Sequence, residues 1–286
     1  MSKPPERARR HRGRAAASAV TAVEARPLNW FDVVTDACFG AVDAATFPLG
    51  ALALSQVPRG DRHPVLVLPG FLSSDYPTYL LRWFLSQIGY RAYPWELGLN
   101  IGVSAAHPYD LEALLEHRLK EVYIESGSRT ISLLGWSLGG VYAKALARQY
   151  PKLIRDVITL GSPLSGNNAD VSVARVYERM NQLTLADPQT ARKMREANRP
   201  LTGVPITAFY CRKDGVVPWR NACEAPGPLV QNIEVEASHV GMGFDALVFY
   251  LIAHRLARSA SGRWQPLDVP QLTEAFKRQR WLPWKR

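Results

Sequence analysis

The sequence predicts an α/β architecture: a mostly parallel sheet flanked by helices, with a small helical cap inserted late in the chain. Three observations carry this expectation. Short apolar runs that stop at turn residues alternate with longer segments whose apolar positions recur every three to four residues. The alternation is interrupted by one polar stretch, residues 165–203. The 286 residues, 47% of them apolar, are enough to bury a full core without disulfide or metal staples.

Residues 1–26 hold seven basic and two acidic side chains and read as a disordered basic tail. Its Ala15–Val20 run loosely mimics a signal peptide, but it is short and gives way to Glu24 and Arg26. Residues 28–57 are the most apolar long stretch. Asp32, Asp36 and Asp43 interrupt it at separations of 4 and 7, which is one helical face. This reads as an amphipathic helix on the protein body, since a membrane span would not carry three carboxylates. Membrane-surface contact through Trp30, Phe31, Phe39 and Phe47 is the alternative.

From residue 64 the pattern is regular. Val65–Leu68 is a buried strand stopped by Pro69 and Gly70. Residues 76–88 repeat apolar positions at helical spacing, and Gly89 closes them. Tyr90–Trp95 reads as a strand, 109–125 as a helix with Leu111, Leu115, Leu119 and Val122 on one stripe, and Arg129–Leu134 as a strand. A helix over 138–149 ends before Pro151. Asp156–Leu160, Pro205–Cys211 and Gln231–Val235 are the remaining strands, and 241–257 is a last amphipathic helix. The stretch 165–203 is helical in places and reads as the cap. The expected organisation is a tail (1–26), one α/β domain (27–258) and a basic extension (259–286) carrying Trp264, Trp281 and Trp284.

The net charge of +10 invites a nucleic-acid reading, but its distribution argues against one. Residues 1–26 carry +5, residues 255–286 carry +6, and everything between them carries −1. No nucleic-acid partner is expected of a near-neutral body. The tails instead suggest peripheral contact with an anionic membrane. Cys38, Cys211 and Cys223 form neither a metal pattern nor a disulfide framework, which fits a reducing compartment. The expected location is cytoplasmic, with membrane association and secretion left open.

Residues 135–140 read Gly-Trp-Ser-Leu-Gly-Gly, after a predicted strand and before a predicted helix. That is the context a G-x-S-x-G nucleophile turn requires. The turn must present the Ser137 hydroxyl on strained backbone, and Gly135 and Gly139 permit the close approach. A serine needs a base, and the base an orienting acid, in the chain order Ser, acid, His. Asp214 follows the fifth strand and His239 follows the sixth. Of the other histidines, His11 lies in the tail, His63 and His107 precede prolines, and His117 and His254 lie within helices. The oxyanion donors are then the backbone N–H groups of Leu138 and of Phe71, which follows Pro69-Gly70. No metal or cofactor is called for.

These pieces resemble the α/β-hydrolase superfamily, and within it bacterial lipase-like and esterase-like members. The resemblance rests on Val65–Phe71, Gly135–Gly140, Thr159–Pro163, Asp214–Pro218 and Ser238-His239. Leu164 stands where many lipases have His, and Pro69 where many have His. The resemblance implies hydrolysis of a small-molecule or lipid ester through an acyl-enzyme. An acyltransferase on the same residues, and a non-catalytic binding protein of the same fold, are the alternatives.

Overall fold

The computed structural model describes residues 30–102, 110–165, 174–181 and 198–280, with isolated positions at 188, 192 and 196. The basic tail, His107, Trp281, Trp284 and most of the expected cap lie outside the described residues.

Six strands form one sheet: β1 (Pro64–Leu68), β2 (Arg91–Tyr93), β3 (Ile131–Trp136), β4 (Ile154–Leu160), β5 (Ile206–Tyr210) and β6 (Val230–Glu234). Their order is β2-β1-β3-β4-β5-β6, and every pairing is parallel. Strands β1 and β3 are buried along their whole length, which is why their sequences are continuous apolar runs rather than alternating ones. The winding reverses between β1 and β3. Open α/β sheets bind ligands at such a switch point, at the carboxyl ends of the strands. Leu68 lies beside Gly135 in the register, so the loops leaving β1 and β3 emerge side by side.

Helices α3 (Tyr79–Gln87), α4 (Leu111–Ser126), α5 (Leu138–Gln149) and α8 (Ala246–Ser259) flank the sheet, and the short α7 (Trp219–Ala222) follows β5. One core holds Leu85, Phe249 and Ile252 with Val65 and Val67; the other holds Leu119, Val122 and Leu146 with Leu66 and Leu133. Alternate β1 residues therefore face opposite cores, as a two-sided sheet demands. Asp110 caps α4 by accepting from Glu112 N–H, and Asp245 caps α8 by accepting from Val248 N–H.

The segment after Arg255 packs on the domain. Arg255 donates to the Gln265 carbonyl (2.9 Å) and to Gln231 (2.6 Å), and its guanidinium lies 4.4 Å from the Trp264 ring centroid. Helix α9 (Val269–Arg280) then buries Phe276 against Tyr250.

The apolar stretch near the N-terminus forms α1 (Trp30–Thr46), a 3₁₀ turn at Phe47–Gly50 and the short α2 (Ala51–Ser55). Pro48 stands in the first turn of the 3₁₀ segment and breaks the run. Helix α1 is orientated against the usual sense. Asp36 and Gly40 are buried against the body, while Phe31, Val34, Phe39 and Val42 face out and are 73, 42, 60 and 57% exposed.

Candidate active site

Ser137 sits between β3 and α5 with φ 53° and ψ −123°. A non-glycine residue at positive φ is strained, and the surroundings hold it there. Its N–H donates to the Leu160 carbonyl of β4 (2.8 Å). A Cβ on Gly135 would overlap the Gly139 backbone, and one on Gly139 would overlap the β1 end at Leu68 and Pro69. The two glycines let the strand, the turn and the helix start occupy one small space. Gly70 stands against the serine as well: a Cβ there would lie 3.1 Å from Ser137 Cβ.

Asp214 and His239 meet. His239 Nδ1 lies 2.8 Å from Asp214 Oδ2, and both residues are buried. The other carboxylate oxygen of Asp214 accepts from Val216 N–H (2.8 Å) and Val217 N–H (2.7 Å). Those bonds fix the acid within its own loop. Burial works against the imidazolium, yet the Asp214 charge, the Asp214 hydrogen bond and the Asp36 charge outweigh it, so the His239 pKa is raised.

The His239 loop is tied to the serine turn. Trp136, the residue before Ser137, donates its indole N–H to the His239 carbonyl (3.0 Å). A Cβ on Gly161, at the end of β4, would lie 2.8 Å from His239 Nδ1 and 3.2 Å from Asp214 Oδ2, so β4 ends directly under the pair. The loops after β1, β3, β5 and β6 thus converge at the carboxyl edge of the sheet. Leu138 opens α5, so its N–H has no partner within the helix. Phe71 N–H meets no acceptor among the described residues.

No family model matches the sequence, and no curated protein does. Solved structures do match. The mature lipase of Bacillus licheniformis aligns with a TM-score of 0.51 at 19% identity, over 70% of this chain and 94% of that one. A metagenome-derived lipolytic enzyme aligns with a TM-score of 0.51 at 17% identity, over 72% of this chain and 96% of that one. This chain has the α/β-hydrolase fold. At such identity the likeness concerns the path of the chain, and the chemistry has to be argued from its side chains.

Within this α/β-hydrolase fold, two residues at the site carried no functional signal in the sequence. Asn100, 1% exposed, braces the loop after β1. Its side-chain amide donates to the Pro69 carbonyl (2.9 Å), its carbonyl accepts from Leu72 N–H (2.7 Å), and its N–H donates to the Ser73 carbonyl (2.8 Å). The Tyr142 hydroxyl of α5 donates to Asn100 Oδ1 (3.3 Å). Leu72 is held at φ 56° in this loop. The second residue is Asp36 of α1, whose carboxylate reaches both the Asp214 and the His239 loops. Of the stretch expected to form a cap, α6 (Ala174–Asn181) packs on the loop after β1: Tyr177 lies edge-to-face on Phe71, with ring centroids 5.2 Å apart. Ala174 and Leu138 complete that apolar cluster.

Proposed function

We propose that the protein is a serine hydrolase that cleaves carboxylic esters through an acyl-enzyme. The observation that carries this reading is the buried Asp214–His239 hydrogen bond, on a loop tied through Trp136 to a serine strained into positive φ on the turn into α5. An ionised carboxylate only accepts, so Nδ1 carries the proton and Nε2 is left as the base. In the reaction Ser137 Oγ attacks the ester carbonyl carbon while Nε2 takes the hydroxyl proton. The carbonyl oxygen becomes an oxyanion, held by the N–H groups of Leu138 and Phe71. The intermediate collapses, the C–O bond to the alcohol breaks, and the imidazolium protonates the departing alkoxide. Water then attacks the acyl-serine with the same base, releasing the acid and restoring Ser137.

The apolar cluster of Phe71, Leu138, Ala174 and Tyr177 supports an acyl group of hydrocarbon character, in a small-molecule or lipid ester. The lipase and the lipolytic enzyme of the same fold agree with that substrate class. Hydrolysis of p-nitrophenyl esters of graded chain length tests the reading. Turnover should depend on Ser137 and change with chain length. If an added alcohol captures the acyl group in preference to water, the enzyme is an acyltransferase on the same residues. Folded protein that turns over none of these esters sinks the proposal.

We also infer that α1 rests on an anionic membrane surface. Its outward side chains Phe31, Val34, Phe39 and Val42 are exposed, and residues 1–26 just before it carry a net +5. The segment Phe31–Ser55 is long and apolar enough to cross a bilayer by length and composition alone. Its buried Asp36, engaged with the body, favours a helix lying in the interface instead.

A further inference from the structure

We propose that Asp36 is a positioning residue: its buried carboxylate, on a helix at the far end of the chain, clamps the acid loop and the base loop together. This proposal rests on the acid–base reading of Asp214 and His239 given above. Asp36 is 2% exposed. Its Oδ2 accepts from His239 N–H (2.8 Å) and from Gly215 N–H (3.0 Å), and its Oδ1 accepts from Val240 N–H (2.9 Å). One donor belongs to His239 itself and another to the residue that follows Asp214. A single carboxylate therefore fixes the backbone of both partners of the 2.8 Å Asp214–His239 bond.

The contact is built for close approach on both sides. A Cβ on Gly215 would overlap the Asp32 carbonyl of α1, and one on Gly40 would lie 2.8 Å from Val240 Cβ. A Cβ on Gly241 would overlap the Asp43 carboxylate. Asp43 adds a weaker tie, accepting from Ser238 N–H (3.3 Å) and Ser238 Oγ–H (3.4 Å). Side chain and loop backbone meet with nothing between them.

The clamp acts in two ways. Charge-assisted bonds to three backbone N–H groups hold the loops at fixed separation, and a reacting group displaced by about 1 Å can cost on the order of 100-fold in rate. The carboxylate also places a negative charge behind the imidazole. The charged groups acting on His239 are Asp214, from the loop after β5, and Asp36, from α1; Asp43, also on α1, faces Asp36. Both Asp214 and Asp36 favour the imidazolium.

The test compares Asp36→Asn with Leu119→Ala, a truncation in the core that does not hold α1. Asn keeps the shape and one acceptor oxygen but loses the charge, and it sets an NH₂ against one of the three N–H donors. For a short p-nitrophenyl ester, Asp36→Asn should lower kcat about 10–100-fold with KM within about twofold, as expected for lost positioning. The acid limb of its pH profile should move to lower pH, because a charge that raises the His239 pKa is gone. Leu119→Ala should lower Tm and leave the limb in place. An Asp36→Asn enzyme with wild-type kcat and wild-type acid limb overturns the clamp. NMR titration of the His239 ring, assigned with His239→Gln, reads the same shift without any substrate. It separates failure of the clamp from failure of the hydrolase reading. If Asp36→Asn does not fold, Asp36→Glu keeps the charge on a longer arm. It should retain the wild-type acid limb with a reduced kcat, and a wild-type kcat in that variant overturns the proposal.

Discussion

In the proposed mechanism His239 needs a neutral Nε2 to take the Ser137 proton, and its pKa is raised above the ordinary imidazole value of 6.5. Activity is then lost as pH falls through that raised pKa, so the midpoint of the acid limb of kcat/KM lies above 6.5. Asp214→Asn should remove the main support for the imidazolium, move the limb to lower pH and cut kcat by about 10⁴. A pH–rate profile of the pair of enzymes checks both; an unmoved limb would count against Asp214 as the partner of the base. The proposed triad of Ser137, Asp214 and His239 is one that local sterics and chain order mark in the sequence. Gly135 and Gly139 announce the tight turn, and the acid and base follow successive strands. Asp36 was visible only as a carboxylate on an apolar helix. Its partners lie 179, 203 and 204 residues away and offer backbone N–H groups, which carry no residue signature. Asn100 was silent for the same reason, since most of its contacts are to main chain.

Apolar periodicity placed the six strands and the long helices, and the differences lie at their ends. The helix expected from residue 76 begins at Tyr79. Strand β2, expected over Tyr90–Trp95, spans only Arg91–Tyr93. One residue accounts for the strand end: the Asp75 carboxylate accepts from Trp95 N–H (2.9 Å) and Glu96 N–H (3.0 Å), drawing the chain out of the sheet. Conversely β4 begins at Ile154, two residues before the expected Asp156, because Ile154 pairs with Ile131 across the start of β3. These are long-range contacts that no window of local sequence contains. The loop after β1 depends on one such contact. Asn100→Ala should release the Pro69 carbonyl and the turn carrying Phe71, with kcat falling on the order of 100-fold, as when one oxyanion donor is displaced. Steady-state kinetics checks this: a large KM increase at constant kcat would assign Asn100 to binding instead.

Charge organises the molecule at the largest scale. The +10 resolves into two basic ends around a body of −1, and the sequence alone showed this. What it could not show is how α1 is turned, since periodicity defines two faces of a helix without saying which meets the body. The carboxylate face turns inward onto the Asp214 and His239 loops, and the apolar face is left outside. Trp264 lies against the Arg255 guanidinium and is only partly exposed. Sedimentation with vesicles checks the membrane reading. Binding to phosphatidylserine-containing vesicles should weaken with salt and on removal of residues 1–26, at about 1 kcal/mol per basic residue near the surface. Phe39→Asp and Val42→Asp should weaken it further. Equal binding to purely zwitterionic vesicles would contradict the electrostatic part. Association of the free protein into dimers that Val42→Asp dissolves would reassign the face to a second copy.

The proposed chemistry depends on Ser137 as a nucleophile activated by His239. Labelling of the folded protein with a fluorophosphonate, followed by mass spectrometry of its peptides, tests this most directly. A single adduct on Ser137 is expected, absent in Ser137→Ala and strongly slowed in His239→Gln. Folded protein left unlabelled, or an adduct on any other serine that survives in Ser137→Ala, would contradict it.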